Sequence, residues 1–194
     1  MICALNAEKF LKNTTNARKT DMLIASYIMS LLATFFGAAA PFWKNMKIIL
    51  CFNFFANVFA GLSYFFIGGY SGTVGGFVGG VQLIINYVFL QKKGKIPAYV
   101  VALHIITFVV FNMFVYNAWY DIVMISAAIL FVLSVAQKDA KSYRYIYFAN
   151  SAALIAYDIL AKAHGNLFMH CIMFSATVIS IIMKNLKKKQ TKRF

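Results

Sequence analysis

The chain has 194 residues, 62% hydrophobic and 12% charged, with a mean hydropathy of +0.73. A soluble domain carries about a quarter charged residues, so an ordinary water-soluble globule is excluded. The long apolar runs approach the ~20 residues that cross a bilayer as a helix, whereas barrel strands alternate over about ten. A net charge of +14 does not imply nucleic acid, because the cations gather in short clusters between apolar runs. No nucleic-acid partner is expected.

Residues 1–21 form a polar N-terminal tail with Lys9, Lys12, Arg18 and Lys19 and no signal-peptide core. An interfacial helix is expected over Ala7–Leu11. Seven spans follow at 22–43, 48–67, 72–91, 97–117, 119–136, 145–162 and 166–183. Pro41 falls in the last turn of the first span, where a kink is expected, and Pro97 opens the fourth, where proline is tolerated. Spans two and three are joined by a tight turn at Gly68–Gly72. Spans four and five are parted only by Tyr116–Asp121, whose aromatics suit the membrane interface.

Charge gives an orientation. Lys44 and Lys47, then Lys92, Lys93 and Lys95, then Lys138, Lys141 and Arg144, and finally Lys184 to Arg193 fall in alternate loops. Cytoplasmic loops are rich in Lys and Arg, so the N-terminus is expected outside and the C-terminus inside. The four cations of the N-terminal tail run against that rule. The lipid bilayer is the first partner expected, with the basic C-terminal tail beside anionic headgroups.

An internal repeat is expected. Phe55-Ala56-Asn57, Ala60, Tyr64 and Gly72 recur as Phe148-Ala149-Asn150, Ala153, Tyr157 and Gly165, all offset by 93 (150 − 57). The expected fold is an all-α polytopic membrane protein of seven transmembrane helices, as two parallel three-helix bundles joined by a linker helix. Its parts are the tail 1–21, a first repeat 22–92, the linker 93–118, a second repeat 119–184 and a basic tail 185–194.

From Lys44 to Gln91 the chain resembles the YgjV-type bacterial inner-membrane proteins. The resemblance rests on Lys44-Asn45-Met46-Lys47, Asn57, Tyr64, the Gly68–Gly72 turn and a small-residue third span with a late polar position. It implies a multi-pass protein of the bacterial inner membrane. The three-plus-one-plus-three plan is also similar to that of SWEET and PnuC transporters, which implies small-solute transport between two bundles. The chain departs from those patterns. Pro41 is followed by Phe42 where the wider clan has a proline-glutamine pair, and Asn86 is matched at the 93-residue offset by Ile179.

Asn57 and Asn150 are the leading site candidates, placed near mid-membrane by a rise of about 1.5 Å per residue. They read either as amides lining a substrate site or as interhelical hydrogen-bonding groups. Tyr64 and Tyr157 lie seven residues on, on the same faces. Gln82 and Asn86 sit one turn apart on span three and complete the substrate-binding set. Asp158 is a carboxylate well inside a span, and with His170 it forms a gating or proton-linked candidate. A pair between Asp158 and Lys162, four residues later, is the plainer alternative. His104 and Thr107 read as helix-contact residues, and Gly72, Gly76 and Gly80 as a close-packing stripe.

Cys3, Cys51 and Cys171 show no disulfide or zinc spacing. With five acidic residues and no catalytic motif, neither an enzyme, a metal site nor a cofactor is expected. The leading expectation is a transporter or facilitator of a small polar solute; the alternative is a non-transporting membrane scaffold or assembly subunit. A homo-oligomer fits either. A water-accessible cavity between the bundles would favour transport, and a dry centre the scaffold.

Overall fold

In lipid every backbone polar group needs a partner within the chain, and a helix meets that need locally. A computed structural model describes residues 2–66, 70–114, 116, 118–160 and 164–191, with side chains from 19 onward except at 70–72, 74, 164–165 and 187–191. These residues form α1 (Ile2–Ala39), a 3-10 turn (Ala40–Phe42), α2 (Met46–Phe66), α3 (Tyr70–Lys93), α4 (Ala98–Phe114), α5 (Asp121–Val135), α6 (Ala140–Leu160) and α7 (His164–Thr191). No strand occurs among them. The protein is all-α, with one helix for each expected span.

The boundaries have local causes. Pro41 ends α1 rather than kinking it, because its ring and missing N–H do not fit a continuing helix. The chain instead tightens into the 3-10 turn, closed by Trp43 N–H donating to Ala40 O at 3.3 Å. Gly94 ends α3 with φ of 65°, and its N–H returns to Leu90 O at 3.1 Å. Asp139 starts α6, its Oδ1 accepting from the N–H of Ser142 (2.8 Å) and of Lys141 (3.0 Å). The Ser142 N–H above all holds that carboxyl below its usual range.

The expected turn at Gly68–Gly72 lies partly outside the described residues, at 67–69, and the backbone is already helical from Tyr70. Residues 2–21 continue into α1 without a break, and α7 runs on to Thr191. Residues Lys19–Phe42, Met46–Phe66 and Asn166–Leu186 are long and apolar enough to cross a membrane. Ala98–Phe114 and Asp121–Val135 are shorter apolar helices.

The side chains are distributed as lipid requires. Leu31, Phe114 and Phe168 are 68%, 83% and 70% exposed, whereas Asn53, Gln82, Asn86 and Asn150 are buried. Water would oppose that arrangement, and lipid removes the objection. In the packing, α2 lies against both α1 and α3, α6 against both α5 and α7, α4 against α5, and α1 against α7.

The α2–α3 crossing depends on glycine. A methyl group on Gly76 would lie 2.7 Å from Gly61 Cα, and one on Gly79 would lie 2.6 Å from Asn57 Oδ1. Gly75 has open space beside it. Gly76→Ala is therefore expected to destabilise by about 1–3 kcal/mol, the usual penalty of overpacking. Gly75→Ala is expected to be tolerated, and thermal unfolding of the purified protein distinguishes the two. Within the same half, Ser63 accepts from or donates to both Ser26 (2.9 Å) and Ser30 (2.7 Å), tying α1 to α2.

Candidate functional site

A polar side chain inside an apolar bundle must be partnered or carry a cost. The loops 43–45, 94–97 and 136–139 mark the basic end of the molecule. There the buried Arg144 of α6 donates from Nε to Pro41 O and from Nη2 to Trp43 O, both at 2.6 Å. Ser180 of α7 donates to the same Pro41 carbonyl at 2.5 Å. The carbonyls freed where α1 stops at proline are thus taken up by the second half of the chain. One helix turn deeper, Asn53 of α2 donates to Tyr143 Oη of α6 at 2.9 Å, and Tyr143 stacks on Tyr147.

The middle of the bundle holds the expected amides, and they differ in how they are satisfied. Asn57 donates to Asn53 O of its own helix at 2.9 Å and packs its carbonyl against Gly79. Asn150 donates to Ala127 O of α5 at 2.8 Å. Asn57 thus bonds within α2, whereas Asn150 bonds from α6 to α5. Gln82 is fully buried, and neither its Nε2 nor its Oε1 has a partner. Asn86 reaches Val135 O of α5 only at 3.5 Å, and its Oδ1 has none. Gln82 and Asn86 share one face of α3, so two buried amides one turn apart retain hydrogen-bonding capacity.

At the far end, Asp158 of α6 meets His170 of α7, Oδ2 to Nδ1 at 2.6 Å, with the carboxylate buried. The expected pairing of these two is found as geometry; Lys162 lies outside the described residues. Asn166 donates to Tyr64 Oη at 2.7 Å, joining α7 to α2 across the two halves. Tyr157 packs edge-on against Tyr120, ring centres 6.0 Å apart. Thr107 donates back to Leu103 O within α4. A double-mutant cycle of Tyr64→Phe and Asn166→Ala is expected to give a coupling near the ~0.6 kcal/mol average for polar contacts in membrane proteins.

The arrangement therefore has polar contacts between helices at both ends. Arg144 and Asp158 are fourteen residues apart on α6 (158 − 144), about 21 Å at 1.5 Å per residue. Gln82 and Asn86 stand on α3, Asn86 reaching the last carbonyl of α5 near the basic end. An open, largely apolar groove of about 400 Å³ runs between α2 and α3, with Lys47, Cys51, Phe54, Leu83, Ile84 and Tyr87 along it.

Sequence reasoning passed over Asn53, Tyr143, Arg144 and Ser180. By position alone Arg144 is one more of the loop cations that set orientation. The available signal was its type: every other cation in the loops between spans is lysine, and only arginine offers a rigid fork to two acceptors.

The family model Imp-YgjV, described as bacterial inner membrane protein, matches residues 24–189. No curated protein and no solved structure matches the chain.

Proposed function

The chain belongs to the Imp-YgjV family of bacterial inner membrane proteins, and from that premise we propose that it carries a small polar solute through the seam between α3 and α5. One observation carries this reading: Gln82 is buried with both polar atoms of its amide unpartnered. Such an amide costs about 1–3 kcal/mol by protein mutational data, and a polar solute offers what it lacks. Asn86, one turn on, adds a free acceptor.

The site is closed to solvent, so solute reaches it only when one end opens. The clasp of Arg144 and Ser180 on Pro41 closes the basic end; Tyr64–Asn166 and Asp158–His170 close the other. Opening them in turn gives alternating access, with the basic end at the cytoplasm. A duplicated plan is supported by two contacts with one spacing. Asn86 reaches Val135 O, and Ser180 reaches Pro41 O; donors and acceptors each differ by 94 residues (180 − 86, 135 − 41), one residue more than the 93-residue offset of the sequence motif. In this reading the protein is not an enzyme, and Asn57 and Asn150 are helix-packing groups.

Those two amides also favour the rival reading, a scaffold without transport, since each spends its donor on a backbone carbonyl. The experiment that separates the readings is a thermal-shift screen of the purified chain over sugars, nucleosides, vitamins and amino acids. Hits are then measured for uptake into proteoliposomes. Uptake abolished by Gln82→Leu is expected; uptake indifferent to Gln82→Leu and Asn86→Leu would overturn the site.

A further inference from the structure

Among the described residues, the buried side-chain atoms without a partner are Gln82 Nε2 and Oε1, Asn86 Oδ1 and His104 Nδ1. All four lie on α3 or α4. These helices run antiparallel through the loop at 94–97, and Phe108 of α4 faces Gly79 of α3, its Cζ 3.8 Å from where a methyl on that glycine would sit. One turn toward the loop from that contact stand Leu83 on α3, between Gln82 and Asn86, and His104 on α4. His104 shares the face of Phe108 and is buried.

Resting on the solute-site reading above, we propose that His104 is a third ligand-binding side chain of this site, and that the ligand is an uncharged solute with at least two hydrogen-bond donors and one acceptor. The count follows from the groups present. Gln82 Oε1 and Asn86 Oδ1 need donors, Gln82 Nε2 needs an acceptor, and the imidazole Nδ1 takes either role by tautomer. Among the described residues, no charged side chain is hydrogen-bonded to Gln82 or Asn86. Asp139 caps α6, Asp121 accepts from Ala118 N–H, Asp158 holds His170, and Asp21 is exposed on α1. Arg144 is engaged at the basic end. A charged solute entering here would lose its hydration without compensation. Hydroxyl-rich and amide-bearing solutes fit.

The test is equilibrium binding to the full chain in lipid nanodiscs, with probes matched in shape and differing in charge. Glucose and acetamide are set against glucuronate and acetate. At least one uncharged probe is expected to bind, its charged counterpart about tenfold or more weakly, the value of one hydrogen bond or more. His104→Leu is expected to weaken that binding about tenfold, and His104→Asn to restore most of it. Equal or tighter binding of the charged counterpart overturns the ligand class. If Gln82→Leu abolishes binding and His104→Leu leaves it unchanged, the role of His104 is overturned while the α3 site stands. If no uncharged probe binds, or both variants bind like the parent, this inference and the solute site fall together.

Discussion

Gln82→Leu is expected to make the protein more stable while removing its response to solute. The side chain is fully buried and its amide has no partner, so it opposes folding instead of supporting it. Leucine has a similar size and no polar atoms, and relieving the unmet amide is worth about 1–3 kcal/mol. A stabilising substitution that removes a function is the pattern of a site kept at a cost to stability. Asn150→Leu provides the contrast. Its Nδ2 holds Ala127 O at 2.8 Å, so its loss is expected to destabilise. Thermal unfolding of the three proteins, with and without a binding solute, reads both effects. A Gln82→Leu protein less stable than the parent would mean the amide serves packing.

Arg144→Leu is expected to be the most disruptive single change at the basic end. It removes two hydrogen bonds from a charged donor, each worth about 1.5–3 kcal/mol, and leaves Trp43 O without its guanidinium partner, while Pro41 O keeps only Ser180. A loss of about 3 kcal/mol or more follows. Arg144→Lys is not expected to rescue it, because an ammonium cannot span two carbonyls as a planar fork does. Ser180→Ala removes one neutral bond to the same carbonyl and is expected to cost about 1 kcal/mol. Under the transport reading these variants also loosen the basic end, so a solute should leak in that direction. Denaturation in mixed micelles ranks the three, and a Ser180→Ala effect exceeding that of Arg144→Leu would contradict the clasp.

The helices were legible in the sequence because lipid imposes one uniform demand on every span, and the composition answers it directly. Their ends were legible where chemistry is local, as at Pro97 and the charged loops. Pro41 was seen but misjudged: a proline so close to the end of a span stops the helix, since few residues follow to resume it. Asp158 and His170 were found because ionisable groups in apolar spans are rare enough to notice singly. The amides were noticed by type, but their partners were not. Asn57 bonds to its own helix four residues back, whereas Asn150 reaches a neighbouring helix, and no local pattern separates those outcomes. Asn53 lies one turn before Asn57 and was overlooked, although it makes the contact to Tyr143 across the halves. The unpartnered amide of Gln82 and carbonyl of Asn86 could not be read at all. Satisfaction depends on what surrounds a residue in three dimensions, which here is an apolar wall and one carbonyl at 3.5 Å.

The central claim is that the α3 amides form a solute site that opens to water in turn from each end. The most direct measurement is labelling of Asn86→Cys in proteoliposomes by a small, membrane-impermeant thiol reagent, with Cys3, Cys51 and Cys171 replaced by serine. The buried Asn150→Cys serves as the reference. Labelling at position 86, slowed by a solute that binds, with position 150 inert, is the expected result. Position 86 as inert as position 150 would contradict the account and leave a packed helical scaffold.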